Sequence, residues 1–219
     1  MSIATIPITT RPIAKSEYQE LIDFDDRYNI HGSAYPASEA PPPLTLGELE
    51  DGYRRGDELY WLCSSTSNRV GYYWTESRSD CLFLSALIIA TDFKNKRIGR
   101  QVLHWVDEAC IKKGLSRCTL TVSPLNLPAL HLYLSHGYQI VRCETNYFGK
   151  SWPNRFRVVL EKEMKDQLEN IENFETIRVP CSDYDQLVQA TANGYRGVLL
   201  TRSQDGSQNQ SSITFRKRR

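Results

Sequence analysis

The sequence predicts an α/β fold, because strand-like and helix-like patterns alternate along most of its 219 residues. The central strand is the apolar run at residues 82–90. A helix at residues 98–113 follows it, with apolar residues at helical spacing and a stop at Gly114. A strand at residues 117–122 and a helix at residues 127–135 repeat the pattern. We therefore expect a sheet flanked by helices.

The segment before the central strand predicts a strand, two helices and a hairpin. The spacing of Tyr18, Leu21 and Ile22 indicates the first helix, and Thr45 with Glu48 forms the capping-box pattern that opens the second. A stiff proline-rich loop separates the two helices. The predicted elements are a strand at 6–11, helices at 15–26 and 45–53, and hairpin strands at 58–64 and 69–76.

Two more strands, at residues 139–144 and 156–161, complete the predicted core. We assign residues 1–164 to the main domain and residues 165–219 to a C-terminal extension of unknown role. The extension has few apolar residues, so we expect it to pack on the core or on a second subunit. Its predicted elements are a polar linker or helix at 165–173, a strand at 175–179, a helix at 183–192, a strand at 197–201 and an edge strand at 213–215.

The last four residues, Arg216 to Arg219, are all basic. We interpret them as a solvated tail, and a contact with nucleic acid or another anion remains the alternative. Across the whole chain the formal charge is only +1, which gives no general attraction to nucleic acid or to a membrane. Nucleic acid is therefore the disfavoured partner.

Composition indicates a globular protein of the cytoplasm. No apolar run reaches the length of a membrane span, and the first residues lack the pattern of a signal peptide. The six cysteines form no Cys-x-x-Cys pair and have no histidine at ligand spacing, so we interpret them as reduced thiols. We expect no metal.

A basic turn joins the central strand to the next helix. It contains Lys94, Lys96, Arg97 and Arg100, and the helix opens at Ile98 and Gly99. Free backbone N–H groups and the positive end of the helix dipole meet at a helix N-terminus. The turn therefore predicts a phosphate-binding site.

A second motif follows the next strand. The pattern Asn-x-x-Ala-x-x-Leu-Tyr-x-x-x-Gly-Phe/Tyr is matched at Asn126, Ala129, Leu132, Tyr133, Gly137 and Tyr138. Asn126 and Tyr133 are seven residues apart, so two helical turns should put both side chains on one helix face. Together with the basic turn, it resembles the acyl-CoA-binding core of the GNAT N-acyltransferase superfamily, over about residues 6–164. The turn departs from the family pattern Gln/Arg-x-x-Gly-x-Gly/Ala, because it starts with Lys94 and has Arg97 in place of the first glycine. The resemblance implies a mixed, mostly antiparallel twisted sheet.

The resemblance also implies roles for residues around acyl-CoA. Backbone groups of Leu87, Ile88 and Ile89 would pair with the amides of pantetheine, and Asn126 would hold the same arm. The CoA phosphates would lie on the basic turn. Tyr133 would contact the sulfur, where hydrogen bonding to the departing thiolate is the expected role. The residues of the turn concerned are Lys94, Lys96, Arg97, Ile98, Gly99 and Arg100.

The general base is not evident from the sequence. Glu76 is a candidate to hold a water that relays the proton of the amine, and a solvated strand end is the alternative. In this family the acceptor is bound by the first helices and the last hairpin. These regions hold the candidate acceptor residues Asp25, Asp26, Tyr28, Tyr147 and Trp152, which surface charge and loop packing explain equally well.

We therefore expect transfer of an acyl group, acetyl in the first instance, from acyl-CoA to a small-molecule or peptide amine. Direct attack in a ternary complex is favoured, because no cysteine or serine is placed to carry the acyl group. Two alternatives remain open: a CoA-binding regulatory module without turnover, and a nucleic-acid or protein adaptor that uses the basic C-terminal end. The identity of the amine is not predicted, and a homodimer is left open.

Overall fold

The computed structural model describes residues 7–30, 40–149, 156–164, 174–202 and 211–218. The chain divides into two compact units. The first contains Met1–Ser33 and Pro42–Cys118, and the second contains Ala34–Pro41 and Thr119–Arg219. Both units combine helices with antiparallel strands, which confirms the mixed α/β class predicted from the sequence.

The first unit contains four antiparallel strands in the order β1-β2-β3-β4. Three α-helices accompany them, and α1 is extended by a π-helical turn at Asp26–Ile30 that contacts β4. The strands are β1 (Ile8–Pro12), β2 (Glu58–Ser64), β3 (Arg69–Ser77) and β4 (Cys81–Ile89), and the helices are α1 (Tyr18–Asp25), α2 (Leu46–Arg55) and α3 (Ile98–Lys112).

Local sequence signals explain how α2 begins and ends. The Thr45 hydroxyl accepts a hydrogen bond from the Glu48 N–H, and the Glu48 carboxylate accepts one from the Thr45 N–H. This reciprocal pair is the predicted capping box. Gly56 ends the helix in the left-handed conformation, with φ of 80°. The helix buries Leu49 in a core cluster that also contains Trp61 of β2.

The second unit contains most of the C-terminal half. Strand β5 (Arg117–Val122) starts at the end of the first unit and continues into the second, where the strand order is β5-β7-β6-β9-β10-β8. The remaining elements are α4 (Leu127–Ser135), β6 (Gln139–Glu144), β7 (Arg157–Glu163), β8 (Phe174–Pro180), α5 (Tyr184–Ala192), β9 (Arg196–Thr201) and β10 (Ser212–Arg218).

Glycine 197 allows β9 to lie against β6. Gly197 faces Ile140 in the register of the two strands, and a Cβ at this position would lie 2.8 Å from Ile140 Cδ1. Only a residue without a side chain fits such a close approach. Through this contact, the strands that follow residue 173 join those of the core within the second unit.

Most predicted elements are confirmed, several with the same bounds. The strands at 58–64, 117–122 and 139–144 and the helix at 127–135 are observed as predicted. The predicted first helix is divided into a 3-10 turn at Lys15–Glu17, helix α1 and the π-helical turn. The predicted linker at 165–173 lies outside the described residues.

The interpretation of the last residues was wrong in two respects. Arg216 to Arg218 belong to β10, whose backbone pairs with β8 and β9, so they are not a solvated tail. The strand is also central among β9, β10 and β8, whereas an edge strand was expected. Exposed charged side chains are typical of a solvated tail as well as of a strand, so the sequence pattern did not indicate that this backbone is paired.

Two further observations concern the chain as a whole. No helix in the described part of the chain is long and apolar enough to cross a membrane. All six cysteines are free thiols, and burial raises the pKa of Cys143 to about 11 and that of Cys181 to about 12. Both thiols therefore stay protonated at neutral pH and are poor nucleophiles.

Candidate active site

A β-bulge interrupts β4 at Ser85. Trp74 of β3 pairs with Ala86, whereas the next residue, Thr75, pairs with Leu84, so Ser85 has no partner in the register. Burial changes at the same point. Leu82 to Leu84 are buried, whereas Ala86 to Ile89 are only half-buried although all four are apolar. A bulge locally disrupts a ladder and bends the strand. The end of β4 therefore has a partly open apolar surface.

Glu76 is fixed next to the bulge. The Ser85 hydroxyl donates a hydrogen bond to Glu76 Oε1, and Arg78 Nη2 lies 3.0 Å from Glu76 Oε2. The side chain of Glu76 is 19% exposed. Its carboxylate is therefore held in one orientation and reachable from solvent, which fits the positioning of a water molecule.

The basic turn follows β4 and leads into α3, which packs on β4. Asn95 and Arg97 both have positive φ, of 62° and 61°. Arg97 is the N-cap of α3 in the left-handed conformation, at the position where the family pattern has glycine. Left-handed residues in a turn direct successive N–H groups into a concave anion site. The turn thus keeps the glycine-like backbone without glycine.

The basic side chains of the turn extend from this backbone. Lys94, Arg97 and Arg100 are exposed, and Lys96 is half-buried with its Nζ 4.9 Å from the ring centroid of Phe93. No acidic residue lies in the first turn of α3. The positive end of the helix dipole therefore adds to the side-chain charge and favours an anion.

The second motif lies in the second unit. Asn126 is the N-cap of α4, and its Oδ1 accepts a hydrogen bond from the Ala129 N–H at 3.3 Å. The expectation that Asn126 lies on the helix face with Tyr133 was wrong, because Asn126 precedes the first helical residue. Tyr133 is 8% exposed, and its ring lies 6.0 Å from that of Tyr138.

Asp25 is more buried than a surface carboxylate would be. It is 2% exposed, and its Oδ1 accepts hydrogen bonds from the hydroxyl of Tyr72 and from Asn29 Nδ2. Burial raises the pKa of Asp25, and the two hydrogen bonds oppose this effect. Burial and the nearby Asp25 raise the pKa of Tyr72 well above its ordinary value, so the phenol remains a donor. Asp25 thus fixes the junction of α1 with the π-helical turn, and a contact with the acceptor stays a prediction.

The other predicted acceptor residues are more exposed. Asp26 is exposed. Tyr28 is half-buried, and the centroid of its ring lies 4.6 Å from that of Phe24. In the second unit, Tyr147 is half-buried and packs edge-on against Phe148. Trp152 lies outside the described residues.

Two residues of this region were missed by the sequence reasoning. Ser85 holds Glu76 and forms the bulge, and Tyr72 holds Asp25 across 47 residues of sequence. The serine between Leu84 and Ala86 was a detectable signal, since it is the one polar residue in the apolar run of β4. The tyrosine gave no signal, because it occupies an ordinary position in a strand.

Comparison with solved structures identifies the fold. The ribosomal-protein-S18-alanine N-acetyltransferase of Escherichia coli aligns with a TM-score of 0.59 and 16% identity, over 75% of this chain and 99% of that chain. A GNAT family acetyltransferase of Elizabethkingia anophelis with acetyl-CoA bound aligns with a TM-score of 0.53 and 19% identity, over 71% and 97%. Mutant forms of the spermidine/spermine N-acetyltransferase of Vibrio cholerae align with a TM-score of 0.55 and 16% identity, over 72% of this chain and 94% of that chain.

The sequence comparison identifies the family. No curated protein sequence matches the chain significantly. The family model of the acetyltransferase (GNAT) family matches residues 24–138, which is more than half of the chain. This range contains the bulged strand β4, the basic turn and the Asn126–Tyr138 motif. The chain therefore belongs to the GNAT acetyltransferase family.

Proposed function

We propose that this protein transfers the acetyl group of acetyl-CoA to an amine, by direct attack in a ternary complex. The observation that carries the proposal is the arrangement along β4 and α3. A bulge at Ser85, a half-buried strand end and a glycine-like turn at Arg97 follow one another in the first unit. They supply a place for an extended arm and then a place for phosphates.

The donor would bind along this path. Backbone groups of Leu87, Ile88 and Ile89 would pair with the amides of pantetheine, since an extended ligand can add to a strand. The N–H groups around Ile98 and Gly99 would receive the diphosphate, and the basic side chains of the turn would add attraction.

The second motif would act at the sulfur. Capping occupies Asn126 Oδ1, which leaves the Nδ2 group as the donor toward pantetheine. Tyr133 would stabilise the thiolate as the thioester breaks. Free tyrosine has a pKa near 10 and a thiol near 8.5, so full proton transfer is uphill by about 2 kcal/mol. Hydrogen bonding is therefore the main contribution of Tyr133, and proton delivery follows late in the reaction.

The amine must lose a proton as it attacks. Glu76 would orient a water that carries this proton away from the acceptor. Both carboxylate oxygens already accept hydrogen bonds, so direct deprotonation by Glu76 is disfavoured. At pH 7, deprotonating an amine with a pKa near 10.4 costs about 4 kcal/mol, and one with a pKa near 8 costs little more than about 1 kcal/mol. An amine of low pKa fits this site better.

Acidic residues favour an acceptor that carries positive charge. Burial raises the pKa of Asp25, and the negative charges of Asp26 and Glu48 raise it further, so these two carboxylates lie near enough to act on it. The comparison proteins include an N-acetyltransferase of spermidine and spermine and one of a ribosomal-protein alanine. We therefore place the acceptor among small molecules or peptides whose reacting amine has a low pKa and lies near a second cation.

A CoA-binding module without turnover is the second candidate. The hydrogen bonds to both oxygens of Glu76 favour it, because they occupy lone pairs that a general base would use. In either case we propose residues 1–164 as the acetyl-CoA domain and residues 165–219 as an extension, in a protein of the cytoplasm.

A screen for CoA-thiol release tests the proposal. The protein would be incubated with acetyl-CoA and amino acids, polyamines, aminoglycosides or peptides that differ in N-terminal residue. Release that saturates with one amine class supports an N-acetyltransferase. No release from any amine, with acetyl-CoA still raising the melting temperature, would select the module without turnover.

Binding of acetyl-CoA is tested separately. Lys94→Ala with Arg100→Ala should weaken the thermal shift given by acetyl-CoA. Arg54→Ala with Lys112→Ala removes the same charge elsewhere in the first unit and should leave the shift unchanged. An unmoved melting curve of the wild type at millimolar acetyl-CoA would refute both candidates.

A further inference from the structure

Three exposed arginines lie close together on neighbouring strands of the second unit. They are Arg178 of β8, Arg196 of β9 and Arg216 of β10. Strand β10 lies between the other two, so the three strands form a continuous surface. The arginines are far from Tyr133 and the basic turn in sequence, and nothing in the acetyl-transfer proposal uses them.

The register places the three side chains on one face. Arg216 pairs directly with Arg196, and Thr214 pairs directly with Arg178. Directly paired residues of antiparallel strands point to the same face, and so do residues two apart in one strand. Thr214 and Arg216 therefore bring Arg178 and Arg196 onto a common face, here named the arginine face.

No carboxylate neutralises the arginine face within the described part of the chain. None of the three arginines forms an ion pair there. Arg196 donates to the Val141 carbonyl at 2.8 Å, and Arg216 lies 6.0 Å from the ring centroid of Phe174. Glu175 pairs with Lys217, one position further along β10, which places it on the opposite face.

The pairing of Arg216 with Arg196 places two like charges on opposite residues of neighbouring strands. Like charges directly opposite each other on antiparallel strands repel, and an acidic residue in place of either Arg196 or Arg216 would be favourable. A bound anion near either guanidinium group would offset this repulsion. Each guanidinium can donate two parallel hydrogen bonds to a phosphate, which makes arginine well suited to this ligand.

We propose that the arginine face binds single-stranded nucleic acid through its phosphate backbone. The face carries repeated exposed positive charge along neighbouring strands, which suits a chain that carries a negative charge at every residue. Phe174 lies at the end of the same face, because it pairs with Arg218, two positions beyond Arg216. Its half-buried ring gives a surface on which a base can stack.

Fluorescence anisotropy of the full-length protein with a labelled oligothymidylate tests this proposal. Three phosphate contacts predict that log K falls against log salt concentration with a slope of about −2, since each contact contributes about −0.7 on single strands. Arg196→Gln with Arg216→Gln should reduce the slope to about −0.7 and weaken binding about tenfold or more at low salt. Arg54→Gln with Lys112→Gln removes the same charge in the first unit and should leave the slope near the wild-type value.

Arg216→Glu separates binding from folding. It replaces the repulsive pair with an attractive one, so the melting temperature should stay the same or rise while oligonucleotide binding is lost. The proposal is overturned by salt-independent or absent binding of the wild type, or by equal weakening in the control pair. It is also overturned if polyglutamate or inorganic phosphate competes as well as unlabelled oligothymidylate, because the face would then recognise an acidic peptide or a lone anion.

Discussion

Replacement of Arg97 by glycine should raise the free energy of unfolding. Arg97 has φ of 61° and ψ of 9° at the start of α3. This left-handed conformation costs a residue with a Cβ about 1–2 kcal/mol. Glycine adopts it freely but loses about 0.5–1 kcal/mol through the larger entropy of its unfolded chain. The conformational gain is therefore about 0.5–1 kcal/mol.

The charge of Arg97 adds to this gain. A cation at a helix N-terminus opposes the positive end of the dipole and costs about 0.3–1 kcal/mol at the surface. Arg97→Gly removes both penalties and should stabilise the protein by about 1–2 kcal/mol. Arg97→Ala removes the charge but keeps the Cβ, so it should gain only the smaller, electrostatic part.

Urea unfolding of the two variants measures the difference, which should be about 0.5–1 kcal/mol in favour of glycine. Acetyl-CoA affinity, measured by titration calorimetry, should fall equally in both variants, by no more than about fivefold, because one exposed charge is lost. An Arg97→Gly protein no more stable than Arg97→Ala would refute the strain argument.

Two other predictions follow from single contacts. Gly71→Ala places a Cβ about 2.4 Å from the Ile88 carbonyl oxygen, so it should cost about 1–3 kcal/mol and weaken acetyl-CoA binding by moving the end of β4. Gly47→Ala is the matched control, since no atom lies within 4 Å of the added Cβ; the reasoning fails if both variants behave alike. A hydrogen bond from Arg11 lowers the pKa of Glu17 to about 2 from 4.5. The ionised Glu17 therefore adds at most about 3 kcal/mol to the free energy of unfolding. This contribution is present above pH 4.5 and is lost as the pH falls toward 2. Between pH 5 and pH 3, the free energy of unfolding should fall more in the wild type than in Glu17→Gln. Equal falls would contradict the lowered pKa of Glu17.

Regular elements were predictable because their patterns are local. Strand β2 and helix α4 have the bounds that periodicity and capping residues indicate. Strand β10 was misjudged, because the alternation of Ile213 and Phe215 continues into charged residues whose backbone remains paired. Sequence can show which side chains face water, but it does not show whether the backbone beneath them is bonded.

The site was predictable only as far as its motifs extend. The basic turn and the Asn126–Tyr138 motif were evident, yet a spacing of seven residues cannot distinguish a helix face from a cap, so the place of Asn126 was missed. The bulge at Ser85 depends on the register with β3, which no local pattern fixes. The burial of Asp25 depends on Tyr72, a partner remote in sequence.

The central claim is that this chain transfers acetyl groups and that Tyr133 stabilises the departing thiolate. The most direct test is kcat for CoA release, at saturating acetyl-CoA with the best amine, for the wild type, Tyr133→Phe and Tyr138→Phe. Tyr138 is the matched control, because its ring lies 6.0 Å from that of Tyr133 and the family motif accepts Phe at this position. We predict that Tyr133→Phe lowers kcat by about ten- to a thousandfold with little change in KM or acetyl-CoA affinity. Tyr138→Phe should stay close to the wild type. Equal kcat for the wild type and Tyr133→Phe would contradict the account.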